Sequence, residues 1–457
     1  MTSTPQPCKI SRSNAHAILF VEGFVSVAIQ ILLLRQLVPF VGSNIIITSI
    51  VIGMFLAVLA IGYAIGGRQL SNPSQTLSRN LLIAALISSI VYSYTFTEAV
   101  FNTTEHLNLY GQTIIYLCLS LVPTIFLMAQ TIPILSESIG RDSVSSKTGA
   151  ALSLNTLGSV LGAIITSTVC FHFLGVSETL ILCTSLLLIS CIRISGTALF
   201  LITIIITSYC NIELNYKNTH ERFITTTAYG NYAVVDTPLL RVLEINRAAQ
   251  SGIWANGQPL TYNYQVLDLW SNLGLMKSES EILVLGAGGF TISMNDRINQ
   301  YTYVDIDEKL QKIAETHFLK DKVNGDYIVS DARLILKDLP NEHYEAIFID
   351  LFSHKGNTPW HLATKEFFDQ VNNKLKEDGY VTINAIALPK FKDSYSQRTH
   401  NTINHSFGHC YTIPLFQPGD ARHNLIYACS KKTNQTSNRV YTDKTNHGEI
   451  DAALSDW

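Results

Sequence analysis

Residues 282–289 read Ile282-Leu283-Val284-Leu285-Gly286-Ala287-Gly288-Gly289, and about twenty residues on comes Tyr303-Val304-Asp305-Ile306-Asp307. The first stretch is a charge-free apolar run that stops at a glycine turn. That pattern belongs to a strand buried on both faces of a parallel sheet. The second is another such run, closed by an acid. Further apolar runs at 327–329, 346–350 and 380–386 alternate with helical stretches at 307–319, 332–338 and 361–376. Strand–helix alternation of this kind predicts a doubly wound α/β unit, whose ligands bind at the carboxyl ends of the strands. Upstream, residues 222–247 alternate polar and apolar around Tyr229-Gly230-Asn231-Tyr232 and Asp236-Thr237-Pro238, which predicts a small antiparallel sheet.

Further toward the N-terminus the texture changes. Of 457 residues, 47% are hydrophobic and 15% charged, but residues 13–212 carry 12 charged side chains and residues 213–457 carry 53. Apolar runs lie at about 15–38, 44–66, 80–98, 112–135, 148–172, 178–192 and 196–212. The first five reach the roughly 20 residues a membrane-spanning helix needs. The expected organisation is a multi-pass α-helical membrane domain at 1–212 (about seven helices), a small β subdomain at 213–272, a nucleoside-binding α/β domain at 273–430 and a flexible tail at 431–457. The first run reads as a retained anchor, since it is long and another run follows at once.

Lys9 and Arg12, Arg68 and Arg79, Arg141 and Lys147, and Arg193 fall in alternate links, and the links near 39–43, 99–111 and 173–177 carry no Lys or Arg. The positive-inside rule places the N-terminus in the cytoplasm of a cell inner membrane. Seven spans would then put the soluble half outside, but a cytosolic cosubstrate requires it inside, and on these chemical grounds the soluble domain is expected in the cytoplasm. Small residues recur as Gly53/Ala57, Gly62/Gly66 and Gly158/Gly162, the spacing that lets helices pack closely in lipid. Glu22, Gln30, Asn155 and His172 are polar where lipid penalises them, and serve either a cavity or interhelical hydrogen bonds. A net charge of −3 without a basic stripe gives no footprint for nucleic acid. Of eight cysteines none forms a CxxC pair, and the five at 118, 170, 183, 191 and 210 read as small hydrophobes, not a disulfide framework or zinc site. No metal is expected.

Four strand ends carry the candidate chemistry. Gly286 and Gly288 let backbone approach a ligand. Asp305 can accept hydrogen bonds from both ribose hydroxyls. The others are Asp331 with Ala332, and Asp350. Each lone Asp also reads as a helix N-cap; the four features in order point to a nucleoside.

These residues resemble spermidine synthase, the polyamine aminopropyltransferase, in its membrane-fused form. The likeness is carried by Glu22-Gly23, Arg35, the glycines of 62–67, Pro123, 132–135 and Asn155–Gly162. It continues through Arg241-Val242-Leu243, Gln250-Ser251, the glycine turn, Val304–Asp307, Asp331-Ala332, Asp350, His361–Phe368, Gly379 and Asn384, from about residue 17 to about 430. The resemblance implies a Rossmann-like domain of class I methyltransferase type. It implies transfer of an aminopropyl group from decarboxylated S-adenosylmethionine to a small amine, releasing methylthioadenosine. It places Gln250 on the sulfonium side chain, Asp305 and Asp307 at the ribose end, Asp331 and Ala332 at the adenine edge, and Asp350 with Tyr264 at the reacting centre. Tyr262, Gln265, Ser353 and His354 fall on the acceptor side. Expected partners are the amine and the lipid bilayer, and a homodimer is admitted.

The chain also departs from the family. Typical members carry Asp where this chain has Gly289, a second loop Asp where it has Ser353, and an acid near Gln265. A charge-assisted hydrogen bond from such an acid is worth roughly 1.5–3 kcal/mol. Without an acid at 289, discrimination against the carboxylate of intact S-adenosylmethionine relaxes. Methyl transfer, aminocarboxypropyl transfer or donor cleavage thus stand beside aminopropyl transfer. A transporter with a nucleoside-sensing domain and an inactive scaffold are the remaining alternatives.

Overall fold

The computed structural model describes residues 10–42, 45–68, 72–139, 143–192, 194–195, 197–260, 279–351, 358–388, 390–407, 410–414 and 423–431. The chain divides into two compact units, one of residues 1–41 and 45–228, the other of residues 42–44 and 229–457.

The first unit is helical. Five described helices are long and apolar enough to cross a membrane: Arg12–Val41, Ile45–Gly66, Leu109–Ser136, Val144–Phe173 and Ala198–Arg222. The run expected at 80–98 is broken. Pro73–Val91 and Tyr94–Thr103 meet at a 65° bend and make a sixth segment if counted together. Ser93 causes the break, its hydroxyl capping the new helix by accepting the Phe96 N–H at 3.2 Å. The run at 178–192 forms the shorter helix Val176–Cys191.

Glycine sets how closely the first helix meets Val144–Ile165. A Cβ at Gly158 would lie 2.1 Å from the Phe20 carbonyl oxygen, one at Gly162 2.3 Å from that of Phe24, and one at Gly23 2.0 Å from that of Asn155. Gly62 gives the same closeness to Ala129, but Gly53 meets nothing within 4 Å. Glu22, 2% exposed, accepts a short hydrogen bond from the Asn155 side-chain amide. The same amide donates to Leu19 O at 3.2 Å. For these two residues the interhelical reading is the one observed.

The second unit holds two sheets. Strands β1 (Asn231–Asp236), β2 (Leu240–Ile245), β3 (Ala248–Trp254) and β4 (Pro259–Leu260) form an antiparallel meander. Seven strands make the other: β5 (Glu281–Leu285), β6 (Gln300–Asp305), β7 (Asp326–Val329), β8 (Tyr344–Ile349), β9 (Leu375–Ala387), β10 (Cys410–Pro414) and β11 (His423–Ser430). Their order is β10-β11-β9-β8-β5-β6-β7. β7, β6, β5, β8 and β9 are parallel, and β11 runs against both β9 and β10. This is the Rossmann-like sheet of class I methyltransferase type. Leu283, Ile347, Val381 and Tyr427 of its central strands bury against Phe367 and Val371 of helix Lys365–Lys374 and Phe407 of helix Ser394–Phe407. Each such large apolar side chain contributes roughly 1.5–3 kcal/mol on burial.

Several elements differ from expectation. Helix 332–338 shortens to Ala332–Ile335, and the stretch at 361–376 resolves into a short turn at Trp360–Leu362 and helix Lys365–Lys374. Strands β10 and β11 and helix Ser394–Phe407 have no counterpart in the sequence-based reading. Cys410 and Cys429 form a disulfide across β10 and β11, so the cysteines of the soluble half do not share the character of those in the apolar half.

Candidate functional site

Register alone brings the chemistry to one edge. Leu285 pairs with Val304 on one side and Ile349 on the other, Asp305 with Val329, and Ile383 with Ile349. The residues at or just past these pairs are Gly286, Asp305, Ser330, Asp350 and Asn384, side by side at the carboxyl ends of five parallel strands.

Gly286 turns the chain there. Its φ is +92°, and a Cβ would lie 2.1 Å from the Asp350 carbonyl oxygen. No L side chain fits that approach. The turn is then fastened to the neighbouring acid. Ala287 N–H donates to Asp305 Oδ2 at 3.0 Å and Asp307 N–H to Asp305 Oδ1 at 3.3 Å. A carboxylate offers about four acceptor positions, so beside its backbone donors Asp305 retains capacity for a hydroxyl donor. Burial pushes its carboxyl up, while the hydrogen bonds from Ala287, Asp307 and Ile306 pull the other way.

The Asp305–Asp307 pair divides its work. Asp307 is 2% exposed; its Oδ2 accepts the Tyr232 hydroxyl at 2.6 Å and its Oδ1 the Lys309 N–H at 3.0 Å. It ties the meander to the seven-stranded sheet and holds the turn before the following helix, its side chain engaged with Tyr232 and Lys309. Asp331 is an N-cap, its Oδ1 accepting the N–H groups of Arg333 and Leu334 at 2.9 and 3.1 Å. Its other oxygen lies 2.9 Å from His361 Nε2. Burial raises this carboxyl, but the His361 contact and the two backbone donors outweigh it and hold the group below its ordinary value. Ala332 is buried behind it, 5% exposed. Asp350 accepts the Asn384 side-chain amide at 3.0 Å through Oδ1, and the buried Asn384 Oδ1 has no partner among the described residues.

Gln250 is exposed, its amide 3.5 Å from Ala248 O, and its contact is not with the glycine turn. The adjacent Ser251 makes that contact, its hydroxyl accepting Gly289 N–H at 2.9 Å. The space at Gly289 is already filled: a Cβ there would lie 2.4 Å from the Phe318 ring and 2.7 Å from Ser251 Cβ. Ser251, Asn384, Tyr232 and His361 all belong to the site or its frame. The first, second and fourth sit in the quoted motifs, and only their partners were invisible. Tyr262, Tyr264, Gln265, Ser353 and His354 lie outside the described residues.

A cavity of about 510 Å³, lined in part by Arg241, Trp254, Met294, Arg297 and Lys322, opens beside the segments that lead into β6 and β7. It lies at the amino ends of those strands, and Gly286, Asp305, Asp331 and Asp350 do not line it. Among the described residues no group of three or more His, Cys, Asp or Glu side chains is gathered as a metal site requires.

Residues 271–439 match the spermine/spermidine synthase domain. The C-terminal part of the chain is therefore similar to that domain. A polyamine aminopropyltransferase of Saccharolobus solfataricus is 29% identical over 147 residues, which are 30% of this chain and 48% of that protein. The chain thus spans about half the length of that relative. Among solved structures, a probable spermidine synthase from Corynebacterium glutamicum is similar at 19% identity and a TM-score of 0.40, over 50% of this chain and 84% of that one. Human methyltransferase-like protein 13, solved with SAH, is similar at 16% identity and a TM-score of 0.31, over 43% and 91%. Within residues 271–439, the glycine turn, Asp305 and Asp350 are described residues that meet at one edge.

Proposed function

We propose that the synthase domain binds a sulfonium nucleoside, S-adenosylmethionine or its decarboxylated form, and transfers an aminopropyl-type group to a small amine. One observation carries this reading: Asp305 is held by the glycine turn at the sheet's carboxyl edge with an acceptor position to spare, two strands from the Asp350–Asn384 pair. A ribose hydroxyl would be held by Asp305. The neutral amine attacks the carbon next to sulfur; a C–N bond forms, the C–S bond breaks, and methylthioadenosine leaves with the sulfur electron pair. Asp350 is placed to accept a hydrogen bond from the amine and to stabilise the ammonium that develops. Tyr264 would stand on the acceptor side with Tyr262, Gln265, Ser353 and His354. The apolar helices would hold the chain in the cell membrane as a multi-pass protein with its N-terminus in the cytoplasm.

Intact S-adenosylmethionine is the second donor reading. Position 289 projects no acid, and Phe318 and Ser251 occupy the room one would need. Calorimetry on the detergent-purified chain with both donors separates the two. Binding of the intact donor at least as tight as the decarboxylated one is expected; a marked preference for the latter removes this second reading. Asp305→Ala, with Asp305→Asn to preserve the turn's shape, should weaken either donor at least tenfold through loss of a charge-assisted hydrogen bond. Unchanged affinity in both variants refutes the ribose placement, and no methylthioadenosine release with any amine refutes the transfer.

A further inference from the structure

We propose that the soluble domain works on the non-cytoplasmic side of the membrane. The inference rests on the membrane-spanning reading above and goes beyond it by fixing a side.

Four contacts inside the helical unit show on which face the chain leaves it. Arg35, near the end of the first helix, donates through Nε to the Thr227 carbonyl at 2.8 Å. Val176 N–H, just past the link 174–175, donates to the Thr226 hydroxyl at 3.1 Å. Arg222 pairs with Glu98 of helix Tyr94–Thr103, and the ring of Phe223 meets Tyr94 at 4.9 Å. The exit at 222–227 therefore lies at the helix ends that lead into 42–44, 104–108 and 174–175, and none of these three links contains a Lys or Arg. Of the cations near the exit, Lys217 and Arg222 are each paired with a carboxylate, Glu213 and Glu98, and Arg35 belongs to the first helix, not to a link, and is tied to Thr227.

The opposite face gathers the cationic links. Ser78, next to Arg79, shares a hydrogen bond of 2.6 Å with Ser195, two residues past Arg193. Asn80 donates to Gln130 at 3.0 Å, near the end of the helix that leads to Arg141 and Lys147. Cytoplasmic links carry the Lys/Arg excess, so the exit face is the other one. This conclusion does not depend on counting spans, since it follows from which helix ends touch the exit.

The disulfide points the same way independently. Cys410 and Cys429 stand directly opposite in the antiparallel register of β10 and β11 and are bonded, which fastens the edge strand to the sheet. Cys429 is 2% exposed and packs in the core. Such structural bonds form and persist in oxidising compartments, and the cytosol keeps thiols reduced. The five described cysteines of the helical unit are all free. On this placement the donor and the amine must be supplied on the outer side, by export or by passage through the membrane.

The test uses the full chain with C-terminal fusions, one to alkaline phosphatase, active only when exported, and one to a fluorescent protein that matures only in the cytoplasm. Whole cells are also acid-quenched and labelled with a maleimide polymer before and after reduction, with Cys410→Ser/Cys429→Ser as reference. Phosphatase activity, a dark fluorescent fusion and two extra labelled thiols on reduction, absent from the double variant, are expected. A fluorescent fusion without phosphatase activity overturns the placement, and so do thiols at 410 and 429 that label without reduction. Membrane-bound chain with either of those results sinks this inference alone; recovery in the soluble fraction sinks the membrane reading with it.

Discussion

The helical and sheet units both depend on glycine for close approach, and in nearly the same measure. A Cβ at Gly158 would stand 2.1 Å from Phe20 O, and one at Gly286 2.1 Å from Asp350 O. What surrounds each clash differs. Gly158 sits inside a regular helix that can slide or tilt against its neighbour, since lipid packing rests on shape and dispersion. Gly286 combines a φ of +92° with an N–H bonded to Val304 O at 2.9 Å, so neither rotation nor translation relieves it. The same missing methyl group is a packing convenience in one unit and a fixed requirement in the other.

Substitution can break that contrast. Gly286→Ala should cost the sheet unit roughly 3 kcal/mol or more, from backbone strain plus overpacking; denaturant melts of the purified chain read it, and an unshifted midpoint would contradict the geometry. Gly158→Ala should cost about 1–3 kcal/mol of helical-unit stability, seen in thermal melts in detergent. Gly53→Ala, where nothing lies within 4 Å, should cost nothing and serves as the control. Equal losses at 158 and 53 would mean the two helices do not meet there.

Smaller effects sharpen the picture of the sheet unit. Asp331→Ala should cost about 1 kcal/mol through removal of the N-cap. Because the Asp331 carboxyl is held below its ordinary value of 3.8, its stabilisation is present above that pH and lost as pH falls through the folded-state value. Wild-type stability should therefore drop below about pH 4 more steeply than the variant's; parallel acid limbs would remove His361 as a partner. At the β2–β3 hairpin Arg247 has φ +67°. Arg247→Gly should raise stability by up to about 1 kcal/mol, the left-handed strain relieved less the entropy glycine adds to the unfolded chain, and a loss would show that the side chain contributes more than the strain costs.

The sequence made the ends of the parallel strands legible because buried strands exclude charge and must stop at turns, so Gly286, Asp305 and Asp350 stood out. Spacing could not tell Asp305 from Asp307, since the outcome depends on Tyr232, about 75 residues earlier, reaching across to take one of them. Strands β10 and β11 escaped notice because Pro414 ends one and His423-Asn424 opens the other, which blurs the apolar run. The filled space at Gly289 was also illegible, because Phe318 arrives there from a different helix. The break within 80–98 had a local signal after all, a serine placed to cap, masked by apolar residues on both sides.

The Arg35–Thr227 hydrogen bond joins residues 192 positions apart. A ribosome delivers the first helix long before it delivers residue 227, so this bond closes only after every helix of the helical unit has been made. Until then that carbonyl does not exist, so this one contact of the guanidinium closes only after the helices around it have been made. Truncations that stop short of 227 would lack this tie even where every apolar helix is intact.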